Sequence, residues 1–129
     1  YDGVYFRIVR KYLAQGKLKN TDLAIVSQKW GILLGSDTVP YEAPFRRGYR
    51  VKLWLSKSKI VELKRKNLEK LRAILSTGYD EIFVNVGREF YQLIDGFEKF
   101  TNARVVHAQG RGLGSKATAL VDWIIASGV

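Results

Sequence analysis

The stretch 104-RVVHAQGRGLGSKATALVDWIIA-126 decides how this chain is read. It opens with a short run rich in β-branched residues, 104-RVVHA-108, which has the composition of a strand. A glycine-rich turn follows, and from Ser115 to about Ala126 the apolar residues recur at helical spacing. Strand, loop and helix in direct succession are the unit from which α/β domains are built.

The same order recurs upstream. The run 81-EIFVNV-86 predicts a buried strand, with Gly87 turning the chain into a helix over 88-REFYQLIDGF-97. The run 22-DLAIVS-27 predicts another buried strand, followed by the turn 28-QKWG-31. Val4, Phe6, Ile8, Val9, Tyr12 and Leu13 follow helical spacing up to a stop at Gly16. Ile60, Leu63, Leu68, Leu71, Ile74 and Leu75 form one apolar face of a long helix over 59–75, broken at Thr77-Gly78. Alternation in 49-YRVKLWL-55 predicts a further strand, and 36-SDTVPYEAPFRRG-48, which holds both prolines, predicts an irregular loop. Strands alternating with helices imply one α/β domain spanning residues 1–129, with a small, mainly parallel sheet in a three-layer arrangement.

With 129 residues, 47% of them hydrophobic, the chain can bury a core of its own. It has no cysteine and one histidine, which excludes disulfide and thiol chemistry and leaves no ligand set for a structural zinc. No metal or cofactor is expected, and no run approaches the length of a membrane span. The expected location is the cytoplasm. The formal charge of +10 is concentrated: residues 46–72 hold eleven basic side chains against Glu62 and Glu69, leaving +9 there and +1 in the other 102 residues. Such a segment fits a polyanionic partner. Glu62 with Lys66 and Arg65 with Glu69 have the spacing of ordinary helix-surface pairs. Arg46, Arg47, Arg50, Lys52, Lys57 and Lys59 have no acidic neighbour in sequence, and Trp54 among them could stack on a base.

Ligands of parallel α/β sheets bind beyond the carboxyl ends of the strands. That rule selects three loops: Ser27, Lys29, Trp30 and Gly31; then Asn85, Gly87 and Arg88; then Arg111, Gly112, Gly114, Ser115 and Lys116 with Gln109 and Gly110. Glycines permit close backbone approach, helix-start N–H groups favour an anion, and the cations add charge. The glycine run matches neither the Walker A loop nor the dinucleotide fingerprint. Two readings stay open for it: an anion or nucleotide site, or a turn needing positive φ with Ser115 as helix N-cap. Among candidates for catalysis, Glu42 beside Tyr41 could act as a general base, or be a solvent-facing loop carboxylate. His107, inside the third strand, reads as a core histidine with its hydrogen bonds satisfied.

These positions also carry a resemblance. Tyr1-Asp2-Gly3 through Phe6-Arg7, Ile25 to Leu33, and Val39-Pro40-Tyr41-Glu42 resemble an uncharacterised α/β family with YDGxxF, ILSAKxGL and IPYY motifs. Tyr79 to Arg88 is similar to its NxGK region, and Gly112 to Lys116 with Leu120, Asp122 and Trp123 to its GxGxK region. Residues 46–75 depart from it. Proteins of that family are often described as distant relatives of the YaaA peroxide-stress proteins, so the resemblance implies DNA binding and protection against oxidative damage. Similar strand-loop motifs in domains attached to nucleobase-modifying enzymes imply a nucleoside or nucleotide ligand. Family members usually place a strand and loop before the YDG motif, and this chain starts at that motif, so the strand and its loop residues are expected to be absent from it.

The expectation is therefore a nucleic-acid-binding domain, for DNA in the first instance, with a strand-end phosphate or nucleotide pocket. The competing class is an enzyme that cleaves or modifies a nucleobase or nucleotide, with Glu42 as base. A third is an interaction domain whose basic segment meets an acidic protein.

Overall fold

A computed structural model describes residues 4–34, 53–109 and 112–127. Its elements run α1 (Val4–Ala14), β1 (Ala24–Ser27), β2 (Gly31–Leu34), α2 (Lys57–Leu75), β3 (Glu81–Val84), 3₁₀ turns at Phe90–Leu93 and Phe97–Phe100, β4 (Arg104–His107) and α3 (Gly112–Ser127). The described strands form two separate two-stranded sheets: β1 pairs antiparallel with β2, and β3 pairs parallel with β4. The chain is thus α/β in content, with one parallel pair. It divides into two units, one holding α1, β3, β4 and α3, the other β1, β2, α2 and the 3₁₀ turns.

In the first unit, α1 ends where glycine was expected to stop it. Gly16 adopts φ 77°. The Gly16 N–H bonds to the Leu13 carbonyl at 3.0 Å and the Lys17 N–H to the Tyr12 carbonyl at 2.9 Å, the Schellman pattern that satisfies the last helical carbonyls. The chain then drives Leu18 into the core at φ 61°. That conformation costs a branched residue about 1–3 kcal/mol, and burial of its side chain against Leu120 and Ile124 holds it there. Ile8, Val9, Tyr12, Phe83 and Trp123 pack around those three. Trp123 of α3 stacks on Phe83 of β3 at 5.0 Å between centroids, and its indole N–H donates to Glu81 Oε1 at 2.7 Å. The β3–β4 ladder runs from Glu81↔Arg104 to Val84↔His107, continued by the Ala108 N–H to the Val84 carbonyl at 2.8 Å.

The second unit turns on one buried amide. The β1–β2 hairpin closes through residues 28–30, with Gly31 at φ 76°. α2 lays Asn67, Leu71 and Leu75 on its buried face, at i, i+4 and i+8. Asn67, 2% exposed, accepts from the Ile32 N–H at 3.1 Å and donates to the Leu93 carbonyl at 2.9 Å. One side chain therefore joins hairpin, helix and the first 3₁₀ turn. Lys70 adds a bond to the Ile32 carbonyl at 2.8 Å.

Several expectations need correction. β2 was not foreseen; Gly31 to Leu34 is a strand, because the glycine at positive φ folds Ile32 and Leu33 back on β1. The helix expected over 88–97 is two 3₁₀ turns. The Phe97 N–H bonds to the Ile94 carbonyl at 3.2 Å, an i→i−3 bond, and the Leu93 carbonyl accepts from Asn67. Gly96 at φ 96° separates the two turns. Residues 53–55 are not strand: the N–H groups of Leu53 and Trp54 go to the side chains of Glu89 and Gln28. Residues 49–52 and the loop 36–48 lie outside the described residues. α3 begins at Gly112, so Gly112, Gly114 and Ser115 are helical and Ser115 is not its N-cap. β1 and β4 are half-buried at most, and His107 is exposed rather than in the core.

A Cβ at residue 31 would lie 2.6 Å from Asn67 Oδ1. Gly31→Ala is therefore expected to destabilise the protein by about 2–4 kcal/mol, combining left-handed strain with a damaged buried hydrogen bond; a urea midpoint unchanged from the parent would refute the clamp. A second prediction concerns pH. Burial and the Glu98 carboxylate, which accepts from the Tyr91 hydroxyl at 2.6 Å, push the Tyr91 phenol up to about 12, with Asp95 adding to the effect. Folding thus disfavours the ionised phenol, so this contact's stabilisation is fully present below about pH 10 and is lost as pH rises towards 12. An ultraviolet titration should show one late tyrosine that Tyr91→Phe removes and Glu98→Gln shifts to lower pH.

Candidate nucleic-acid interface

α2 begins with Ser56 as N-cap, whose Oγ accepts from the Lys59 N–H at 3.4 Å. Its first turn carries Lys57 and Lys59 and no acidic residue. Cations there oppose the helix dipole by about 0.3–1 kcal/mol each at low ionic strength, so helix stability does not account for them. Along the rest of the helix, some charge is committed. Arg65–Glu69 and Lys66–Glu62 are i,i+4 pairs with every side chain more than half exposed, which makes them weak. The Arg72 guanidinium lies 6.0 Å from the Phe100 ring centroid, and Lys70 is bonded to β2. Lys57, Lys59 and Lys64 make no ion pair among the described residues.

Trp54 stands just ahead of this helix with 67% of its surface exposed. Its backbone is held all the same: the Trp54 N–H donates at 2.9 Å to Oε1 of Gln28, a buried residue of the β1–β2 turn. The next residues of that turn are Lys29 and Trp30. Ser27 Oγ accepts from the N–H groups of Lys29 at 3.3 Å and Trp30 at 3.1 Å, so its observed role is to shape the turn. The Lys29 ammonium lies 5.1 Å from the Trp30 ring centroid, and Trp30 is 39% exposed.

The three loops selected by the strand-end rule divide between the units. Ser27 to Gly31, Gly87 and Arg88 belong to the unit of α2. Asn85 and α3, with Lys116, belong to the unit of the parallel pair. At the carboxyl ends of β3 and β4 the structure places Asn85, Ala108 and Gln109, the last donating to the His107 carbonyl at 3.3 Å. Asn85 Oδ1 is buried there with no hydrogen-bond partner among the described residues. Gly87 and Gly114 have open space where a Cβ would stand, so protein packing does not demand glycine at either. Glu42, Tyr41, Arg46, Arg47, Arg50, Lys52 and Arg111 lie outside the described residues. Among the described residues no three His, Asp or Glu side chains cluster as metal ligands, and no helix is long and apolar enough to cross a membrane.

Sequence reasoning missed the neighbourhood of the 28–30 turn and Trp54, which a single side-chain bond across 26 residues creates. The available signal was Gly31 closing a three-residue turn between two apolar runs. No family model, curated protein or solved structure matches the chain.

If Gln28 is what steadies Trp54, Gln28→Leu should speed hydrogen exchange of the Trp54 amide about tenfold, the equivalent of one modest hydrogen bond. The Ile32 amide, held by Asn67, should keep its protection; equal loosening of both would mean that Gln28 supports the whole unit instead.

Proposed function

We propose that this chain binds nucleic acid, DNA in the first instance, through the exposed basic side of α2. The observation that carries the reading is Trp54: a tryptophan 67% exposed, with an anchored backbone, at the head of a helix bearing seven cations and two carboxylates. An exposed indole ahead of a row of cations has the chemistry to receive a base while the cations meet phosphates. Phosphates would offset both the helix dipole's opposition to Lys57 and Lys59 and the excess charge of the segment. Arg46, Arg47, Arg50 and Lys52 extend the basic run in sequence and are part of the proposed contact surface. A three-layer α/β architecture, a cytoplasmic location and a link to oxidative-stress protection belong to the same reading; the last rests on the resemblance to the YaaA-related family.

Asn85 supports a second reading. A buried amide oxygen without a partner among the described residues, at the carboxyl end of a parallel strand pair and in the same unit as the start of α3, fits a small polar ligand with a donor group, such as a nucleobase or nucleotide. Gln109, Lys116 and the first-turn N–H groups of α3 would line that pocket. An enzyme acting on such a ligand would draw its base from elsewhere, Glu42 being the candidate.

Binding of labelled DNA, as duplex and as single strand, across a salt series tests the main reading. Each neutralised phosphate contributes about −0.9 for duplex and about −0.7 for single strand to the slope of log K against log salt. Replacing Lys57 and Lys59 by Ala should make the slope shallower by about 1.4–1.8. Unchanged slopes on both probes would remove α2 from the contact surface.

A further inference from the structure

Resting on that reading, we infer that the occupant of this surface is an unpaired polynucleotide strand, taken up by Trp30 and Trp54 acting together as a stacking platform. The two tryptophans are 24 positions apart in sequence, yet they lie in one unit, joined through Gln28. Gln28 lies two residues from Trp30, and its side chain bonds the Trp54 backbone at 2.9 Å. Summing bond lengths and Cα spacings, the two tryptophan Cα atoms lie no more than about 17 Å apart. A few nucleotides of an extended strand cover that distance.

The surface chemistry is that of sequence-tolerant single-strand binding, in which aromatic rings receive bases and neighbouring cations follow the backbone. Trp30 has the Lys29 ammonium at 5.1 Å from its ring centroid; Trp54 has Lys57 and Lys59 within five residues. Both indoles are exposed, at 39% and 67%, although burying them would favour folding. In a duplex the faces of the bases are already stacked on one another, so exposed indoles find nothing to cover without unstacking the helix. Duplex could use the cations of α2 alone. Unpaired bases use both features, which is why the tryptophans select the strand. Held backbones, the 28–30 turn by Ser27 and Trp54 by Gln28, reduce the ordering cost of binding.

The test compares three probes of equal length at one low salt concentration: oligothymidylate, a blunt duplex, and an abasic strand with the same phosphates. Oligothymidylate is expected to bind the full chain at least tenfold more tightly than the abasic strand and more tightly than the duplex. Trp54→Ala and Trp30→Ala should each weaken oligothymidylate binding by about 5- to 150-fold, the range for one lost base–aromatic stack. Both should weaken duplex and abasic binding far less than oligothymidylate binding, and Trp54→Phe should retain most of the affinity. Thermal melts check that the alanine variants fold. If the strand binds no better than the duplex, or the alanine variants bind oligothymidylate like the parent, the platform is wrong while the basic-helix reading stands. If no probe binds, both fall.

Discussion

Everything described in the second unit hangs on the side chain of Asn67. Buried and amphiprotic, it can serve an N–H and a carbonyl at once, and it does so for Ile32 and Leu93. An apolar residue there would leave two buried backbone groups unpaired, each at a cost of about 1–3 kcal/mol. The clamp also dictates what stands opposite. Gly31 is required by its positive φ and by the closeness of Asn67 Oδ1 to where a Cβ would be. It also reaches the segment after Gly87 through the Leu93 carbonyl, where Gly96 at φ 96° separates the two 3₁₀ turns.

The proposed binding surface is connected to this clamp by one further step. With the hairpin fixed against α2, its turn presents Gln28 to the segment ahead of the helix, and Gln28 holds Trp54. Its indole is exposed while its backbone is held. The unit of the parallel pair uses the opposite solution: Trp123 lies flat on Phe83 with its N–H satisfied by Glu81, a tryptophan spent on the core. Trp30 and Trp54 are exposed, whereas Trp123 is packed against its unit's core.

Charge adds direction to the surface rather than stability. The helix pairs are exposed and weak, and the first-turn lysines work against the helix dipole. A chain that needed only a solvated helix would gain more from carboxylates in that first turn. In the proposed reading that net excess is what a polyanion would meet, with exposed Trp54 beside it.

By itself the sequence determined the elements whose signals are local. α1 with its glycine stop, most of α2, the cores of β1, β3 and β4, and the body of α3 follow from periodicity and turn residues within a few positions of each other. The concentration of charge before and within α2 was equally legible, since it is a matter of counting. Tertiary structure decided whatever depends on partners distant in sequence. Strand pairing is one case: β1 lies with β2, in a sheet apart from β3 and β4. The attachment of the first 3₁₀ turn to α2 is another, because it runs through an asparagine 26 positions away. Exposure of His107, burial of Gln28 and the bond from Gln28 to the Trp54 backbone are the rest. A periodic pattern states which side of an element is apolar, but long-range hydrogen bonds choose what that side meets, and those bonds leave no trace in local composition.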